Sequence, residues 1–322
     1  MPKLILLVLA LVLLAAAPAQ ALIPGMNTPG QLAPEHEANF GSVATQSRAP
    51  MVRWQISSPS AKNIRRVLAL NARGDGTRVL AVLMETPWWG NRAITEADVD
   101  RYRESVRRNV AALAPLGVHH YEVWNEPDLP QFWPGPRSGW RYARFLRAAY
   151  PVIKQIDPQA VVISAGVTNN NHAFVRQMYA AGAGPSLDAV GTHVYPQGRA
   201  QDCSAYASTR RAQLCGVTLI RDVMRAYGDG HKPVWLTEFG RWACARSPTR
   251  GCVDGATQAR FVTEGYAYLR RFGFLRAGFW FSDYDYGADR RAYGLRSDGL
   301  WKRSGFYHFR REAVNWRVQA GW

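Results

Sequence analysis

The chain has 322 residues, of which 47% are hydrophobic, 12% aromatic and 20% charged, with 28 glycines and 19 prolines. That mix excludes collagen-like, coiled-coil and largely disordered chains, and it supplies apolar material for a substantial core. The formal net charge of +16 rests on 35 arginines against five lysines. Arginine pairs such as Arg65-Arg66, Arg210-Arg211 and Arg310-Arg311 are scattered along the chain. This pattern argues against a nucleic-acid partner and for a solvated basic surface or attraction to an anionic polymer.

At the N-terminus, Lys3 precedes an unbroken apolar run, Leu4 to Ala17, and Ala19-Gln20-Ala21 is a small-x-small cleavage site. Residues 1–21 therefore read as a secretory signal peptide, the run being shorter than the roughly 20 residues that span a bilayer. The expectation is a secreted protein, extracellular or periplasmic, with one domain over residues 22–322, no membrane association after cleavage, and a monomeric state.

Seven short runs rich in Val, Ile and aromatics follow: Met51–Ile56, Val79–Met84, Tyr121–Trp124, Ala160–Ser164, Ala189–Val194, Val234–Thr237 and Ala277–Phe281. Their length and composition are those of strands buried on both faces. Helical stripes lie between them. Thr95-Glu96-Ala97-Asp98 resembles a capping box, and Val99, Tyr102, Val106, Val110 and Leu113 follow at helical spacing. Tyr142, Phe145, Leu146, Ala149 and Ile153 make a second stripe, and Phe261, Gly265, Tyr268, Leu269 and Phe272 a third. This alternation predicts βαβ units and a parallel sheet. An eighth strand should precede Met51, with Phe40–Ala44 and Leu22–Met26 as candidates. The fold class expected is α/β, a (β/α)8 TIM barrel in a single domain, with a doubly wound open sheet as the alternative. Nucleotide-binding glycine motifs are absent from the helix starts. Four cysteines in an exported chain suggest two disulfides, and the local pairings Cys203–Cys215 and Cys244–Cys252 are favoured over a zinc site.

Chemistry in such a barrel gathers at the C-terminal ends of the strands. There, Tyr121-Glu122-Val123-Trp124 runs into Asn125-Glu126-Pro127, and Val234-Trp235-Leu236-Thr237 into Glu238-Phe239-Gly240. A carboxylate ending a buried strand is costly unless solvated, paired or used. Two of them at one mouth form the pair that breaks a glycosidic bond. Trp124-Asn125-Glu126-Pro127 and Thr237-Glu238-Phe239-Gly240 resemble the paired signatures of retaining β-glycosidases of glycoside hydrolase clan A. The stretch Tyr121–Leu129 with Phe132-Trp133 most resembles family 39, the β-xylosidases and exopolysaccharide endoglycosidases.

The resemblance implies Glu126 as general acid/base, Glu238 as nucleophile and Asn125 as a ligand of the sugar 2-hydroxyl. It further implies Tyr195 as a hydrogen-bond donor to the nucleophile, His193 as its neighbour, and Trp280 as the floor of the sugar site. Arg53, read as ending the second strand, would keep the nucleophile ionised. Glu122 shares the side-chain parity of Glu126 and reads as a buried, hydrogen-bonded acid. Trp88, Trp89 and Trp133, beside Pro and Gly, suggest stacking on sugar rings, as do Phe132, Trp242, Tyr284 and Tyr286. Where the clan often has a His after strand three, this chain has Met84-Glu85-Thr86-Pro87-Trp88, so Glu85 or Trp88 should fill that space. The function so implied is a secreted retaining glycosidase, endo-acting on a polysaccharide or oligosaccharide substrate, needing no metal or other cofactor. A catalytically inactive carbohydrate-binding barrel is the alternative.

Overall fold

Every one of the short apolar runs forms a strand. A computed structural model describes residues 21–28, 40–244, 251–285, 292–297 and 302–322; most of the signal-peptide segment, and Tyr286, lie outside the described residues. The strands are β1 (Ile23–Asn27), β2 (Met51–Ile56), β3 (Arg78–Leu83), β4 (His120–Val123), β5 (Val161–Ser164), β6 (Val190–Val194), β7 (Val234–Phe239) and β8 (Leu275–Trp280). The sheet order is β5-β4-β3-β2-β1-β8-β7-β6, with parallel pairing throughout. Parallel bridges Ile163–Ala189 and Val167–Thr192 join the two ends. That closure, with β1 hydrogen-bonded between β2 and β8, makes a (β/α)8 barrel and excludes the open doubly wound sheet. The weak first strand is the Leu22–Met26 candidate. The other candidate, around Phe40, is a helix.

Among the described residues, eight helices follow the strands in turn: α1 (Phe40–Thr45), α2 (Ala61–Asn71), α3 (Glu96–Leu113), α4 (Gly139–Ile156), α5 (His172–Ala180), α6 (Val217–Ala226), α7 (Gly255–Leu269) and α8 (Ser304–Gln319), with one extra turn at Ala207–Arg210. Their starts are chemically marked. Thr95 and Asp98 form a reciprocal capping box on α3, Ser138 caps α4 and Asp254 caps α7. Among the described residues, no helix is long and apolar enough to cross a membrane. The disulfides are Cys203–Cys215 and Cys244–Cys252.

Alternation along the strands divides the apolar residues into two cores. Ile23, Met51, Leu80, Ile163, Ala189, Trp235, Ala277 and Phe279 fill the barrel interior. A larger set, including Val52, Trp54, Tyr121, Val123 and Trp280, packs between sheet and helices. Parity therefore sends Arg53 inward after Met51, Glu122 inward after His120, and His193 inward after Ala189. Arg53 is not the end of its strand; it is the third of six residues in β2, and its long side chain carries the charge up to the mouth. On β7 the pairing register shifts against both neighbours, between Thr192 and His193 on β6 and between Leu236 and Phe239 on β7 itself. Such irregularities re-aim side chains. Here the two consecutive residues Thr237 and Glu238 both reach polar partners in the interior.

Candidate active site

A cleft of about 640 Å3 opens at the C-terminal ends of the strands and is lined in part by Asn27, Arg53, Asn125, Glu126, His193, Tyr195 and Glu238. These residues come from five strands and the turns that follow them. Glu126 sits where the chain turns sharply after β4. Trp124 and Glu126 both have positive φ, 75° and 41°, a conformation that costs a residue with a Cβ about 1–2 kcal/mol. The turn is tied down by the Glu126 N–H donating to the Gly166 carbonyl at 3.1 Å and by the Leu129 N–H donating to the Glu126 carbonyl at 2.9 Å.

Arg53 organises the floor. Its Nε donates to Glu122 Oε2 at 2.6 Å, its Nη1 to Asn27 Oδ1 at 2.8 Å and to Glu238 Oε1 at 2.6 Å, and its Nη2 to Asn125 Oδ1 at 2.8 Å. Holding the Asn125 carbonyl turns that amide's NH2 group the other way. The Tyr195 hydroxyl donates to the second oxygen of Glu238. Buried His193 lies between the carboxylates: Nδ1 is 2.9 Å from Glu126 Oε1 and 3.6 Å from Glu238 Oε2, and Nε2 is 3.0 Å from Thr237 Oγ1. Glu122 is fully buried and accepts from the Gly166 N–H and the Thr237 hydroxyl, each at 2.9 Å, as well as from Arg53.

The two carboxyls at the mouth are driven in opposite directions. Burial raises the pKa of Glu126, and the negative charges of Glu238 and Asp128 add to it against the opposing pull of His193. For Glu238 burial also favours the neutral form, but the charges of His193 and Arg53 and the hydrogen bonds from Tyr195 and Arg53 outweigh it and hold the group below its ordinary value. Oxygens of both carboxylates and a ring nitrogen of His193 lie within 4.8 Å of one another. Those three side chains could ligate a cation by type. The guanidinium of Arg53, already 2.6 Å from Glu238, repels a second positive charge there, and the network has the composition of a proton-handling site.

Glu126, Glu238, Asn125, Arg53, His193 and Tyr195 thus converge on one cleft, whereas the three tryptophans assigned to substrate do not line it. Trp280 has the wrong parity: Ala277 and Phe279 point inward, so Trp280 faces the helices against Phe239 and Phe261. Phe281, one residue on, lines the cleft instead. Trp133 is 1% exposed and packs with Trp89, Trp124 and Phe145. Trp88 donates to Asp98 and lies under Arg101. A loop position beside Pro and Gly left Trp133 buried and Trp88 half-buried, because the two rings pack above α3 and α4. Glu85 and Trp88 do not reach the space after β3 either; Gln55 borders the cleft near that point, held by the Met84 carbonyl. Phe132, expected among the aromatic residues at the strand ends, lines the cleft, whereas Asn27, Thr237, Phe281 and Tyr293 escaped sequence reasoning. Of these, only Thr237 carried a signal, as the residue preceding Glu238.

A family model described as the glycosyl hydrolase catalytic core matches residues 89–305, more than half of the chain. Comparison with curated proteins gives no match. Among solved structures, the chain resembles a family 39 glycoside hydrolase from the gut symbiont Bacteroides cellulosilyticus, with TM-score 0.71 and 17% identity over 92% of this chain and 64% of that one. It also resembles a monomeric β-xylosidase from Caulobacter crescentus, with TM-score 0.65 and 17% identity over 90% and 67%. A third similar structure is a glucosidase from Croceicoccus marinus, with TM-score 0.70 and 15% identity over 92% and 68%. The chain spans about two thirds of the length of these proteins, and at such identity the likeness is one of fold. With the family match over the strands and turns that carry both carboxylates, the chain belongs to the glycosyl hydrolase catalytic-core family and is a glycoside hydrolase built as a (β/α)8 barrel.

Proposed function

We propose that the protein is a secreted, retaining β-glycosidase, endo-acting on a polysaccharide and working as a monomer, with Glu126 as acid/base and Glu238 as nucleophile. The observation that carries this reading is one pair of carboxyls, with oxygens within 4.8 Å, whose affinities for a proton are pushed apart. Retaining enzymes hold the two groups about 5–5.5 Å apart, whereas inverting ones need roughly 6.5–9.5 Å to admit a water.

In the first step Glu126 gives its proton to the glycosidic oxygen as the C1–O bond breaks, and Glu238 forms a bond to C1. Glu238 is then uncharged, so the repulsion that raised Glu126 is gone. Glu126, now ionised, takes a proton from a water whose oxygen attacks C1, and Glu238 leaves as carboxylate. A sugar hydroxyl can replace that water, which gives transglycosylation. Asn125 is suited to the 2-hydroxyl, and Phe132, Phe281 and Tyr293 offer rings for the C–H faces of sugars. Export is supported by the signal-like residues 1–21 and by two disulfides.

The test is proton NMR of the first-formed anomer from a soluble β-glycan, run beside Glu238→Ala. A β-anomer from wild type and no turnover by the variant are expected. An α-anomer released first would overturn retention, and full activity in Glu238→Ala would overturn the nucleophile.

A further inference from the structure

The mechanism above uses Glu126 and Glu238, yet two further titratable groups, His193 and Glu122, are fully buried beside them. Their protonation can be read from hydrogen-bond bookkeeping. Each oxygen of Glu122 accepts from a group that can only donate, Oε2 from Arg53 Nε and Oε1 from the Gly166 N–H, and Oε1 also meets the Thr237 hydroxyl. Glu122 is therefore a carboxylate, and the Thr237 hydrogen is committed to it. Thr237 Oγ1 can then only accept from His193, which puts a hydrogen on Nε2. On the other side of the ring, Nδ1 faces Glu126 Oε1 at 2.9 Å and Glu238 Oε2 at 3.6 Å. A lone pair there would confront the ionised Glu238 oxygen, whereas an N–H serves both carboxyl groups.

We propose that His193 stays a doubly protonated imidazolium through the catalytic cycle, anchored by Glu122 through Thr237, so that the buried cluster keeps zero net charge while Glu126 and Glu238 exchange theirs. The inference rests on the glycosidase reading for its catalytic consequence. Two cations, Arg53 and His193, face Glu122 and one ionised member of the working pair. Before the first step that member is Glu238, and in the covalent intermediate it is Glu126. The sum is zero in both states, which avoids the cost of an unbalanced buried charge. With Oε1 of Glu126 occupied by the Nδ1 hydrogen, the acidic proton belongs on Oε2, the oxygen His193 does not engage. The other groups facing this cluster are Tyr195 after β6 and Asp128 in the turn after β4. Burial opposes the imidazolium, but the charges of Glu238 and Glu126 raise His193 above its ordinary value, with Arg53 opposing. Glu122, Thr237 and His193 act as positioning residues.

The first test is nitrogen NMR of the full chain with labelled histidine at pH 7.5. Both ring nitrogens of His193 should carry hydrogen, and a lone-pair nitrogen there would overturn the proposal. The second test is kinetic. In Thr237→Val the alkaline limb of kcat/KM should fall by at least one pH unit, with KM on the acid side within twofold of wild type, and Thr237→Ser should restore the wild-type profile. Should Thr237→Val not fold, Glu122→Gln is expected to shift the limb in the same direction. Limbs that superimpose on wild type in a folded variant would overturn the relay. The NMR arm needs no substrate, so absence of turnover on every β-glycan would count against the glycosidase reading alone.

Discussion

Arg53 Nη1 lies 2.6 Å from Glu238 Oε1, and this contact between the third residue of β2 and the fifth of β7 holds the proposed nucleophile in its ionised form. Replacing Arg53 with Met removes a cation from a carboxyl whose burial otherwise favours the neutral form. The folded-state pKa of Glu238 should rise, and the acidic limb of kcat/KM should move to higher pH. The sign for stability follows the same linkage. A carboxyl depressed in the folded state stabilises the protein above its unfolded value of about 4.3, and that contribution is lost as pH falls through the folded pKa. In Arg53→Met the loss should start at higher pH. Stranding Glu122 should add about 3–5 kcal/mol of destabilisation, read as a lower denaturant midpoint at pH 7.

Glu126→Gln keeps the shape of the acid and removes its proton. Turnover of glycans with poor leaving groups should drop by about 10²–10⁴-fold, while the first step on activated aryl glycosides should be largely spared. Burst kinetics on both substrate types measure this, and an equal loss on both would count against the acid role.

Gly166 is required by its neighbour. A Cβ at this position would lie 2.0 Å from His193 Nε2 and 2.7 Å from Thr237 Oγ1. Gly166→Ala should therefore displace His193 and with it Glu126. Misplacement by about 1 Å can cost on the order of 10²-fold in rate, so a variant that keeps its circular dichroism spectrum but loses kcat is expected. Unchanged kcat would show that His193 can move without consequence.

The aromatic reassignment separates binding from folding. Phe281→Ala should raise KM while leaving thermal stability close to wild type. Trp133→Ala, which empties a packed core site, should cost about 3–5 kcal/mol and leave KM of the surviving folded enzyme near wild type. Paired melting and saturation curves decide the matter, and the reverse pattern would restore Trp133 to the substrate.

Much of this architecture was legible in the residues. Seven strands stood out because each is short, apolar and bounded by turn residues, and both carboxylates because an acid at the end of such a strand needs a reason. β1 was faint because Ile-Pro-Gly-Met-Asn contains two residues that weaken strands; its pairing with β2 and β8 compensates. Trp280 was misread because identity at a strand end says little without the parity that the interior residues Ala277 and Phe279 establish. Trp133 was misread because a loop can be as deeply covered as a strand, and Trp88 because its half-buried ring turns to Asp98 and Arg101. The Thr237–Glu122 contact was invisible, since a register shift on β7 turns two successive side chains to one side and no simple alternation anticipates it.

The positive φ at Glu126 has an evolutionary reading. That backbone conformation suits glycine or asparagine better than a long carboxylic acid. A lineage released from turnover and selected only for endurance to heat would therefore drift away from glutamate at this corner of the chain. A glutamate held there, twisted and nearly dry, carries a backbone cost that a side chain chosen for stability alone would not.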